Sequence, residues 1–235
     1  MRYIKKRSAP KELRQWFAGQ PIAGGGRINC RYGDMPGEVK DVVRQRLLEE
    51  QGWLCCYTGR RVGTKSSHIE HLKPQSRCEG HEDIAYGNLL AAYPGLDERS
   101  PYGAHAKADW YDPALMVSPL DGQCESRFRF DMGGHIAPAT AGDRGAEQTI
   151  LRLRLDNGSL TEMRRAAIDE ALFPDNKALS KAKLRTVAVQ GFCLQDSAGR
   201  YPGFCFVVGQ VAQQVLRRAE GDRKRGQAMR NRARR

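Results

Sequence analysis

The chain has 235 residues, with 39 Lys and Arg against 27 Asp and Glu, a formal net charge of +12. A mean hydropathy of -0.63 still leaves room for a core, and the charge calls for a polyanionic partner, most simply nucleic acid, with an anionic membrane surface or an acidic protein also fitting. Runs such as Asn88–Tyr93 and Phe204–Val208 are far short of the ~20 apolar residues of a membrane span.

Met1-Arg-Tyr-Ile-Lys-Lys-Arg7 lacks the apolar stretch of a secretory leader. Seven cysteines form an odd set without a regular framework, which predicts free or metal-bound thiols in a reducing, cytoplasmic setting. Residues 1–14 carry six basic residues against Glu12. Val39, Val42, Val43, Leu47 and Leu48 recur at helical spacing and predict a helix over 37–51, stopped by Gly52. The run Trp53–Tyr57 leads into a turn at Thr58-Gly59. Residues 67–72 read as a short strand closed by Pro74. The apolar run 86–93 fits helix or strand, and 98–103 reads as a loop. A helix starts at Ala104 and ends by Pro113. Arg127–Phe130 alternates before Gly133-Gly134, the pattern of a hairpin. Ser159-Leu-Thr-Glu162 reads as a capping box ahead of a helix to Leu172, followed by helices over 176–190 and 204–218. From Arg217 to Arg235, nine basic residues face only Glu220 and Asp222. Alone, such a block is solvated or disordered, either a solubilising tail or an electrostatic arm.

Three elements carry candidate chemistry: Glu70-His71, Asn88 and His105, with 17 residues from His71 to Asn88 and 17 more to His105. Phosphodiester hydrolysis needs a base that works near neutral pH, which suits a neutral imidazole such as His71. It also needs a cation to offset charge on the phosphate. Mg²⁺ is content with one or two protein ligands, here Glu70 and His105, and an imidazole ligand also admits Mn²⁺ or Zn²⁺. Asn88 does not titrate; its amide suits bridging backbone groups so that the strand bearing His71 stays in place. On a regular strand Glu70 and His71 face opposite ways, so they share a site only where the strand ends or bulges. His68 lies on the Glu70 face and is a further candidate ligand or base. Lys73, Arg77 and Lys107 are candidate nucleic-acid contacts.

The runs Cys55-Cys-Tyr-Thr-Gly-Arg60, Ser67-His-Ile-Glu-His-Leu-Lys-Pro-Gln-Ser-Arg77, Tyr86-Gly-Asn-Leu-Leu90 and His105-Ala-Lys-Ala-Asp109 resemble the HNH endonuclease family. More narrowly, they are similar to the HNH subunit of Septu-type and retron-associated anti-phage systems, the PtuB-like proteins. The likeness takes in Met1–Lys6 and Tyr201–Phe206 as well, spans roughly residues 1–218, and is most specific at Ile-Glu-His-Leu-Lys-Pro-Gln-Ser. It implies an α+β fold with a ββα-metal core embedded in a mainly helical domain. It also implies a metal-dependent nuclease acting on DNA ahead of RNA, with His71 as general base, Glu70 the carboxylate before it, Asn88 the middle position and His105 the third. The implied partner is a PtuA-like ATPase of the ABC/SMC type, with no membrane involved. Many family members frame the site with two Cys-x-x-Cys knuckles. Here Thr58 stands where the second Cys would, and the pair near Ala92–Gly95 is missing, so no structural Cys₄ zinc is expected.

The expected organisation is a basic segment and helix over 1–52, the HNH core over 53–115, a hairpin and helices over 116–218, and a basic tail over 219–235. The competing expectation, from the eroded knuckles and basic ends, is a catalytically inactive nucleic-acid-binding or scaffold subunit.

Overall fold

The computed structural model describes residues 1–23, 27–28, 30–190 and 193–232. It is a mixed fold of helices and small antiparallel sheets, an α+β architecture. In chain order the elements are α1 (Lys11–Ala18), β1 (Ile22–Ala23), β2 (Arg27–Ile28), α2 (Gly37–Glu50), β3 (His68–His71), β4 (Leu89–Ala92) and α3 (Ala104–Lys107). Then come β5 (Phe128–Phe130), β6 (Ile136–Pro138), α4 (Arg144–Leu153), α5 (Gly158–Leu172), α6 (Lys181–Gln190) and α7 (Cys205–Arg232). No described helix is long and apolar enough to cross a membrane.

The centre is β4, whose four residues are all fully buried. It pairs antiparallel with β3 in the register His68↔Ala92, Ile69↔Ala91, Glu70↔Leu90 and His71↔Leu89. Among the described residues no third strand pairs with its other edge, yet its backbone polar groups are satisfied, as burial demands. Gln51, just past α2, donates from Nε2 to Ala91 O (2.8 Å) and accepts the Ala91 N–H at Oε1 (2.8 Å). Ala91 O also takes the Cys56 N–H, and Leu89 O takes Lys6 Nζ at 3.1 Å.

α2 buries Val43, Leu47 and Leu48, while Val42, expected on the same stripe, is exposed. Gly52 ends the helix at φ +59, and the next amide, Trp53 N–H, reaches back to Leu48 O (2.8 Å). A second glycine is required at Gly59. It sits at φ +75, and a Cβ there would lie 2.3 Å from the Phe206 ring. Phe204 N–H donates to Gly59 O, so the turn after Tyr57 is pinned to the start of α7.

Several expectations need correction. The helix starting at Ala104 is a single turn, because Ala108 takes φ +45 long before Pro113. The run 86–93 divides into a 3-10 turn and strand β4. Ser159 is not a cap: α5 starts at Gly158, and Asn157 accepts the Ser159 N–H (3.0 Å). The helix α4, not anticipated, is capped by Asp143, which accepts the Ala146 N–H (3.0 Å) and pairs with Arg127. α7 does not stop near Arg218. Residues 219–232, expected as an unstructured tail, continue it as helix, and 233–235 lie outside the described residues. Val207, Val208, Val211 and Ala212 bury the first half and supply the nucleus; Ala, Arg, Lys, Gln and Met then propagate it cheaply. Arg185 of α6 pairs with Glu220 at 2.9 Å and ties this extension to its neighbour.

Candidate active site

β3 presents His68 and Glu70 on one face and Ile69 and His71 on the other, as the period of a strand requires. Glu70 is gripped at Oε1, where Tyr57 donates its hydroxyl (3.1 Å) and Lys107 its ammonium (2.8 Å). Oε2 lies 3.6 Å from His68 Nε2. The His68 ring stacks on that of His105 with centroids 5.7 Å apart. These groups, drawn from β3, α3 and the run that ends at Tyr57, form one cluster.

His71 takes other partners. Its Nε2 bonds the Asp83 carbonyl (2.9 Å), and Tyr32 packs edge-on to the ring at 4.6 Å. The acceptor is a carbonyl, so Nε2 carries the hydrogen and Nδ1 is left with its lone pair. The residue is only 6% exposed. Among the described residues Nδ1 has no hydrogen-bond partner. The Lys107 ammonium joins the two faces: besides Glu70 it donates to the His71 carbonyl (2.9 Å).

Asn88 clamps the loop that follows β3. Oδ1 accepts the Lys73 N–H (2.7 Å), and Nδ2 donates to the Lys73 and Glu82 carbonyls (3.0 Å each). The Asn88 carbonyl accepts the Leu72 N–H (2.9 Å), extending the strand pairing by one step.

The three candidate phosphate contacts fare differently. Arg77 is on the surface and donates to Tyr111 O (2.7 Å), and Lys73 is paired with Glu82. Lys107, the third candidate nucleic-acid contact, is 2% exposed and spends its charge on Glu70. A lysine in a short segment between loops reads as solvated; only the fold shows a buried carboxylate waiting for it. Tyr57 and Tyr32 were not singled out. The signal at Tyr57 was its place in an otherwise apolar run, where a buried phenol needs an acceptor.

The electrostatics follow from burial and neighbours. Burial would raise the Glu70 carboxyl, but His68 and Lys107 outweigh it and hold its pKa below the ordinary value. Burial lowers His71 and keeps its imidazole neutral. Burial also lowers His105, assisted by the charges of His68 and Arg99. At His68 burial acts downward, yet the Glu70 carboxylate and the Pro94 carbonyl prevail and raise it.

Among the described residues no three His, Cys, Asp or Glu side chains are grouped as a ready metal cage. One carboxylate oxygen facing an imidazole is nevertheless the donor set that suits a cation keeping most of its waters. The residues present therefore fit Mg²⁺ or Mn²⁺.

A protein of Vibrio cholerae serotype O1 biovar El Tor, named "Retron Vc95 putative HNH endonuclease", is 26% identical over 141 residues, 57% of this chain and 67% of its own. This chain is its distant relative. The likeness supports a place among the HNH endonucleases and, at that coarse level, nuclease activity on nucleic acid. No protein-family model matches the chain.

Proposed function

We propose that this chain is a metal-dependent HNH endonuclease hydrolysing nucleic-acid phosphodiester bonds, DNA ahead of RNA, with β3, β4 and α3 as its ββα core. The observation that carries this is the His71 ring: Nε2–H is spent on the Asp83 carbonyl and burial keeps the ring neutral, so Nδ1 is left as a base. In that role Nδ1 takes the proton from the attacking water. Asn88 acts as a positioning residue, holding the loop after His71. Glu70, with an imidazole of the His68–His105 stack, would hold the divalent cation, which when bound offsets charge on the phosphate and the departing oxygen. Lys107 fixes the Glu70 carboxylate and the His71 backbone relative to each other.

The relative's retron setting and the PtuB-like motifs support a role as the effector of a cytoplasmic anti-phage complex with an ABC/SMC-type ATPase. The test is cleavage of supercoiled plasmid and of labelled RNA by the full chain with Mg²⁺ or Mn²⁺, alone and with a PtuA-like ABC/SMC-type ATPase. Wild type should cut, and His71→Ala should lose activity by about 10²-fold or more. Equal cutting by both removes His71 as the base. Binding without cutting in every combination leaves the inactive nucleic-acid-binding subunit.

A further inference from the structure

We infer that His68, through Nε2, is the imidazole that holds the cation together with Glu70, while His105 stacks on its ring. This rests on the nuclease proposal only in needing a divalent cation at Glu70.

Three observations converge. First, His68 Nδ1 lies 2.6 Å from the Pro94 carbonyl, which only accepts, so Nδ1 carries the ring hydrogen. The lone pair of the neutral ring is then at Nε2. Second, Nε2 stands 3.6 Å from Glu70 Oε2, longer than a hydrogen bond, an interval that a cation shared by the two atoms would fill. Two donors of one metal shell stand roughly 3.0–3.4 Å apart, given bonds of about 2.1 Å. The gap closes by a few tenths of an ångström around a cation. Oε1 already holds Tyr57 and Lys107, which leaves Oε2 as the free oxygen.

Third, His105 is poised the opposite way. Its Nδ1 accepts the Ser100 amide (3.2 Å), so the neutral ring carries its hydrogen on Nε2. To ligate through Nε2 it would have to turn an N–H toward another N–H. The third histidine of the motif is thus set for stacking, and the one three residues before His71 is set for coordination. At 15% and 13% side-chain exposure, His68 and Glu70 are recessed but reachable.

The experiment is calorimetric titration of the full chain with Mn²⁺, Zn²⁺ and Mg²⁺, using wild type, His68→Phe, His105→Phe and Glu70→Gln, each checked for an intact melting transition. Phenylalanine keeps the ring and its stacking but removes the nitrogens. Expected are a loss of tenfold or more in Mn²⁺ and Zn²⁺ affinity for His68→Phe, a smaller loss for Mg²⁺, and little change for His105→Phe. The metal preference is the readout a merely structural role would not move, since imidazole favours Mn²⁺ and Zn²⁺ over Mg²⁺. If His68→Phe fails to fold, His68→Gln is titrated in its place. The inference is overturned if His105→Phe loses the metal and the His68 variant keeps it; the nuclease proposal survives that result. Wild type that binds none of the three cations and cuts nothing sinks both.

Discussion

At Lys107 one ammonium serves acceptors on two neighbouring residues, Glu70 Oε1 and the His71 carbonyl. Lys107→Met leaves a recessed carboxylate without its counter-charge, a change that costs about 3–5 kcal/mol. Urea denaturation should show that loss, and a midpoint equal to wild type would reject the pair as a support. Asp143 works at a distance from the site. Its side chain caps α4 and pairs with Arg127, whose guanidinium, with the helix amides, holds the carboxyl at about 2 against 3.8 for the unperturbed group. A folded pKa below the unfolded one stabilises the fold above pH ~4. The contribution fades as pH falls through about 2. Asp143→Ala should lower stability at pH 7 by roughly 1–2 kcal/mol, and that difference from wild type should shrink as melting curves are taken toward pH 2.

At the scale of elements, Gln51 is the joint between α2 and β4. It makes three hydrogen bonds, to Leu54 O (2.7 Å), Ala91 O and Ala91 N, and is itself buried. Gln51→Leu keeps the volume but strands Leu54 O and the Ala91 N–H, and leaves Ala91 O to Cys56 alone. A loss of about 2–4 kcal/mol in chemical denaturation is expected, with faster amide exchange at Ala91. Elements of this kind were only half legible in the chain. Helix α2 and strand β3 announced themselves because a 3.6-residue stripe and a Pro-bounded run are local signals. The split of 86–93 was not legible, because Leu89–Ala92 is apolar at every position and carries no period. α4 was missed because its cap, Asp143, lies in a run of Thr, Gly and Arg that reads as loop.

For the molecule as a whole, the charge lies at the two ends of the chain, and α7 carries much of it on a rod of about 42 Å. Removing residues 222–235 takes away seven basic residues against Asp222 and spares the buried half of the helix. Each phosphate contact so lost should flatten the slope of log affinity against log salt by about 0.9 on duplex DNA. A slope that does not move would assign binding to the β3–β4 region instead. The members of the proposed site were legible early, since Glu70, His71, Asn88 and His105 stand in order. Which of its side chains face one another was not, because tautomers are set by Pro94, Asp83 and Ser100, backbone partners that no spacing rule encodes.

The grip of Gln51 on Ala91 reaches further than its hydrogen bonds. A strand of four buried apolar residues has no polar side to tell it which way up to lie, so by itself β4 would tolerate sliding one step along β3. Such a slip would exchange the two faces of β4, putting Leu89 and Ala91 where Leu90 and Ala92 now lie, and would shift Asn88 away from the Lys73 backbone that it clamps. An amide outside both strands fixes the frame on which the proposed base and carboxylate are mounted. The fidelity of the site is therefore written partly in a helix end that never touches it.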